Sequence, residues 1–170
     1  PMLCGFLQKR FPETKFTFTN AGISSTCSTS GAFRLQRDVL SKGPVDLFFI
    51  EYAVNDDQDA AHARRECIRG MEGLLRQART HNPMMDIVIT HFVNPGMLKT
   101  VSKGKEPVSS GAHEDVAKHY GVSTIHLIRE VDRLIAAGEL TWRKFGGTHP
   151  GPHGNRLCAG MIEKLLTSSW

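Results

Sequence analysis

Three short apolar runs constrain this chain most: residues 45–50, 86–91 and 123–127, each too brief for a helix and each followed by a stretch with helical periodicity. The longest of those stretches, residues 59–80, places Ile68, Met71, Leu74 and Leu75 on one side and closes at His81, Asn82 and Pro83. Further helices are expected at 2–10, with Leu3, Phe6 and Leu7 on one face, and at 32–40, 116–120, 128–137 and 157–166; residues 15–19 read as extended. Residues 94–107, rich in Gly, Pro, Ser and Lys, read as a surface loop. Apolar strands joined by crossover helices imply a parallel sheet buried on both faces, so the expected class is a doubly wound, three-layer α/β/α fold.

The 170 residues, 40% hydrophobic and 22% charged, suit one domain spanning 1–170, since domains commonly run to about 100–200 residues. Lys and Arg number 21 against 17 acids, but they are scattered, and Arg64, Arg65, Arg69, Arg76 and Arg79 decorate one helix face. That pattern describes a solvated surface and gives no footprint for nucleic acid. No apolar stretch approaches the roughly 18 residues of a membrane span. Cys4, Cys27, Cys67 and Cys158 lack the paired spacing of a zinc site or a redox dithiol, so they read as free thiols. The chain opens inside a helix at Pro1 without an initiator methionine, which leads us to expect a segment upstream.

In doubly wound sheets ligands gather beyond the carboxyl ends of the strands. After the extended run comes N-A-G-I-S-S-T, whose Gly22 is either an ordinary turn residue or a backbone N–H brought close to a ligand. After the strand at 45–50 comes E-Y-A-V-N-D-D, where Asn55 offers a carboxamide donor and the Asn-Asp pair could equally cap a helix. Before the last helix, F-G-G-T-H-P-G-P-H-G holds His149 in a rigid loop suited to general-base work. His149 and His153 are four apart, a metal-ligand spacing on a helix, but Pro150 and Pro152 argue against a helix there and no metal is assigned. His91 could touch substrate or be a hydrogen-bonded structural residue, and Trp142 and Phe145 could wall a pocket or cover the core.

These three segments, in this order, resemble the blocks of the SGNH/GDSL hydrolase superfamily over essentially the whole chain. The resemblance implies a five-stranded flavodoxin-like sheet, an oxyanion hole containing the Gly22 N–H and the Asn55 amide, and His149 as the base that activates a serine. It implies ester hydrolysis without a cofactor, on small-molecule or carbohydrate esters, with a carbohydrate O-acetylesterase as the leading expectation. Three departures stand out. The G-D-S block on the first strand, which carries the nucleophile, is not in this sequence and would lie upstream of Pro1; Ser24, Ser25 and Ser28 follow the second block and lack the nucleophile's strand-to-turn setting. Gly146 stands where an aspartate three residues before the histidine is usual, leaving a dyad oriented by a backbone carbonyl or a carboxylate from elsewhere. Ala53 replaces a packing glycine. The absent serine and Gly146 keep open a non-catalytic domain that binds a glycan or a protein; a flavodoxin-like nucleotide domain is disfavoured because no phosphate-cradling glycine loop is found. The sequence assigns no oligomeric state and no compartment.

Overall fold

The computed structural model describes residues 2–168. Its centre is a parallel sheet of three strands among those residues, β1 (Leu47–Ile50), β2 (Asp86–Thr90) and β3 (Ser123–Ile125), in the order β1-β2-β3. Leu47 aligns with Asp86 and Ile50 with Ile89, while Val88 aligns with Ser123 and Thr90 with Ile125. Because successive side chains on a strand point to opposite faces, the central strand feeds two cores. Ile87 and Ile89 pack with Met71, Leu74, Leu75 and Ala78, whereas Val88 packs with Leu127, Ile128, Val131 and Ile162. The first core lies under α2 (Ser28–Asp38), α4 (Arg64–His81) and α6 (Val108–Tyr120). The second lies under α7 (Leu127–Ala136), α9 (Pro152–Ser168) and α1 (Met2–Arg10). Two helical layers around one sheet make the three-layer α/β arrangement that the apolar runs require.

Three further short helices are α3 (Ala53–Gln58), α5 (Pro95–Val101) and α8 (Trp142–Phe145). The helix expected from residue 59 starts at Arg64, after a turn in which Ala61 takes a positive φ of 46°. The expected loop at 94–107 holds a helix over Pro95–Val101, half of its length, and the sequence held the reason. Asn94 accepts the Met97 N–H at 2.8 Å, Pro95 fills the first helical position where no donor is needed, and Met97 is buried.

The sheet is narrower than the five strands expected. Residues 15–19 carry no regular secondary structure, since a strand exists only through a partner's backbone groups. Among the described residues none pairs with the outer edge of β1, and Leu47, Phe48 and Phe49 remain half-buried while Ile50 is buried. Phe16 and Phe18 instead stack on each other, with ring centres 5.7 Å apart. No helix among the described residues is long and apolar enough to cross a membrane.

Candidate functional site

The carboxyl ends of the strands carry a dense set of polar side chains. Directly after β1, Glu51 accepts the Val54 N–H at 3.4 Å and is held also by the amides of Phe92 and Ala53; burial nevertheless pushes its carboxyl up to about 7. Four residues on, in the short helix α3, Asn55 donates through Nδ2 to Asp59 Oδ2 at 2.7 Å. A carboxamide nitrogen has two hydrogens, so Asp59 orients the group and leaves one donor for a ligand.

Asp56, the next residue, is fully buried and ties three helices together. Its Oδ1 accepts the Ser28 N–H at 2.8 Å, and its Oδ2 accepts the Ser28 hydroxyl at 2.6 Å and meets His113 Nε2 at 2.9 Å. Burial works to raise this carboxyl and the hydrogen bonds from His113 and Ser28 outweigh it, so its pKa is lowered. α4 can approach because Gly70 has no side chain, a Cβ there falling 2.1 Å from Ser28 Oγ. Ser28 is thereby excluded as a nucleophile: it is buried and gives its proton to a carboxylate, whereas an activated serine gives it to an imidazole.

Gly22 lies in the exposed segment that leads into α2, and its N–H donates to Asn20 Oδ1 at 3.0 Å, a bond that a substrate oxygen would have to replace. The Ser28–Asp56 bonds join this segment to the Asn55 turn. Cys27, at the start of α2, sits 3.1 Å from Thr29 Oγ1 and 3.3 Å from Ser30 Oγ; burial works to raise its thiol, and these hydroxyls together with the Ser30 amide outweigh it and lower it.

His149 is exposed, in a loop pinned between α8 and α9. The Gly151 N–H donates to Phe145 O at 3.0 Å and Asn155 Nδ2 to Pro150 O at 2.7 Å. α9 begins at Pro152, so His149 and His153 do not share a helix face. Position 146 cannot hold the acid that the family pattern puts there. Gly146 has φ +108°, and a Cβ on it would lie 2.0 Å from Gly151 N.

His91 is fully buried with Nε2 2.7 Å from Glu114 Oε1, and His126, the residue after β3, has Nε2 3.4 Å from the same oxygen. Phe145 is fully buried and stacks on the half-buried Trp142 at 5.5 Å. Sequence reasoning passed over Glu51, Asp56, His113, Glu114 and His126. Glu51 and His126 were findable as polar residues directly after strands; His113 and Glu114 lie in a helix with no local signal. Among the described residues, three sets of groups bring metal-ligating atoms within 4.8 Å of one another: Cys27, Asp56 and His62; Asp56, Cys67 and His113; and His91, Glu114 and His126.

A family model described as the GDSL-like lipase/acylhydrolase family matches residues 2–157. Among solved structures, a two-domain esterase active on acetylated mannans is 28% identical with a TM-score of 0.80, the match covering 98% of this chain and 42% of that one. The chain thus spans less than half the length of that esterase. A protein described as a GDSL-like lipase from Parabacteroides merdae is 17% identical, with a TM-score of 0.77 over 94% of this chain and 77% of that one. A protein from Lactobacillus plantarum, 18% identical, has a TM-score of 0.57 over 82% and 73%. These last two likenesses speak to the fold alone. A search of curated proteins returned no match.

Proposed function

Because this chain belongs to the GDSL-like lipase/acylhydrolase family, we propose that it is a serine ester hydrolase domain that removes small acyl groups, acetyl first among them, from carbohydrate or short-chain esters. The observation that carries the reading is the family match together with Asn55 at the carboxyl end of β1, oriented by Asp59 with one amide hydrogen to spare. On this reading a serine from the family's first block, outside these 170 residues, attacks the ester carbonyl and His149 takes its proton. The Gly22 N–H and the Asn55 amide hold the oxyanion, and water then releases the acid from the acyl-enzyme. The likeness to an esterase active on acetylated mannans favours an acetylated carbohydrate as substrate. No side chain at position 146 orients His149, so the base works in a dyad or with a carboxylate from another segment.

The second reading is a non-catalytic domain that binds a glycan or a protein. It is favoured by the closed position 146 and by the engagement of the Gly22 N–H with Asn20.

The deciding experiment is hydrolysis of p-nitrophenyl acetate and of acetylated mannan oligosaccharides by the protein carrying that first block, beside His149→Ala and Asn55→Ala forms whose folding is checked by circular dichroism. A parent that turns over, and folded variants that each lose about a hundredfold or more in kcat, support hydrolysis. A parent inert on both substrates, or a fully active His149→Ala, hands the site to the binding reading.

A further inference from the structure

We propose that Cys27, Asp56 and His62 form a binding site for one soft divalent cation of the zinc class. The inference does not rest on the ester-hydrolase reading.

Three electron-rich atoms converge with little to hold them together. Cys27 Sγ, a carboxylate oxygen of Asp56 and His62 Nδ1 lie within 4.8 Å of one another. His62 Nδ1 is 3.6 Å from Asp56 Oδ1, too far for a hydrogen bond, and it is buried without a hydrogen-bond partner among the described residues. A tetrahedral zinc with bonds of about 2.0–2.3 Å separates its ligand atoms by about 3.3–3.6 Å; the His62–Asp56 pair already stands at 3.6 Å, and the sulfur, within 4.8 Å of both, has to close by at most about 1.5 Å. One thiolate, one carboxylate and one neutral imidazole are also a donor set that suits such an ion and offsets its charge.

The groups behind the ligands are already in place. Thr29 Oγ1 and Ser30 Oγ flank the sulfur, and the Ser28 N–H, the Ser28 hydroxyl and His113 fix the carboxylate. The His62 N–H donates to Asp56 O at 2.8 Å across the turn at Ala61, which sets the ring beside the carboxylate. Outer partners of this kind orient metal ligands and raise affinity. Cys27 and His62 are half-buried, so a cation can enter from solvent and keep one position for water.

The other two sets fit less well. Asp56, Cys67 and His113 are all buried, with no path for an ion. In the third, His91 Nε2 already meets Glu114; a metal there would force the ring proton onto His91 Nδ1, which is buried with no acceptor among the described residues. Cysteine spacing could not reveal the favoured site, because it holds a single cysteine, on a segment far in sequence from the turn that carries Asp56 and His62.

The test is titration of the purified chain with Co2+ alone, followed by displacement with Zn2+, using Cys27→Ser and His62→Gln beside Cys67→Ser and His126→Gln, all checked for folding by circular dichroism. The expected result is one Co2+ per chain with a sulfur-to-cobalt absorption band. That band should vanish in Cys27→Ser, binding should weaken about tenfold or more in His62→Gln, and both should survive in Cys67→Ser and His126→Gln. Absence of saturable Co2+ binding overturns the proposal. So does binding that both Cys27→Ser and His62→Gln leave intact, or that Cys67→Ser or His126→Gln abolishes.

Discussion

At the scale of single residues, Gly146 separates what a sequence block can announce from what only a folded loop explains. The blocks made Gly22, Asn55 and His149 candidates, because each is a residue of distinctive chemistry within a family block. They could only register Gly146 as a departure. Its cause is the path of the loop, which folds back until Gly151 N occupies the place of a side chain. Replacing Gly146 with Ala should therefore cost on the order of 2 kcal/mol, since it combines a disfavoured backbone conformation with a steric clash, and Gly146→Asp should cost at least as much without improving turnover. Urea unfolding measures this; a Gly146→Ala midpoint equal to the parent's would show that the loop moves aside freely.

Among the elements, the joint between α2, α3 and α6 is a single carboxylate. The Asn-Asp pair at 55 and 56 was legible as a helix cap, and Asp56 does receive the first N–H of a helix, but of α2 and not of its own. Its partners lie 28 and 57 residues away, a separation that no local pattern encodes. Removing the carboxylate would strand the Ser28 N–H, the Ser28 hydroxyl and the His113 ring nitrogen in a dry interior. At about 1–3 kcal/mol for each buried group left unpaired, and allowing for incomplete additivity, Asp56→Ala should lose on the order of 4 kcal/mol. Asp56→Asn, which keeps the shape and one acceptor, should recover part of that. A loss near 1 kcal/mol in a denaturant titration of Asp56→Ala would mean that α2 is held by its apolar face instead. The helix at 95–101 was missed for a related reason: its composition resembles a loop, and its cap residue was counted into that loop.

For the molecule as a whole, the layer order was legible because the first two strands are short and mainly apolar and helical periods separate the strands. The width of the sheet was not, because pairing depends on a neighbour and not on the strand's own residues. Whole-molecule stability should in turn depend on pH through the polar layer at the strand ends. His91 and His126 are lowered from 6.5, by burial first, with Glu114 pulling the other way. Groups held neutral in the fold contribute stability above that value and lose it as the pH falls below it. Glu114 is lowered to about 2 from 4.5, its burial outweighed by the His91 and Thr124 hydrogen bonds and by the nearby His126, so its contribution is present above 4.5 and disappears toward 2. Glu51, raised to about 7 from 4.5, acts in the opposite sense, favouring the fold as its proton returns between 7 and 4.5. Unfolding free energies followed from neutral to acid pH should show a steeper decline between 7 and 4.5 in Glu51→Gln than in the parent, and a flatter one below 4.5 in Glu114→Gln. Curves that superimpose across all three proteins would remove these groups from the account.

The long reach of Asp56 also sets a clock during synthesis. The 57 residues between it and His113 take roughly 3 to 11 s to emerge at about 5–20 residues per second. For that interval the nascent chain already carries Asn55 and the start of α2 but lacks the helix that locks them. The apolar edge of β1 then stands open beside an acid still surrounded by water, so the seconds before α6 leaves the ribosome are the period in which a newly made chain is most exposed to wrong partners.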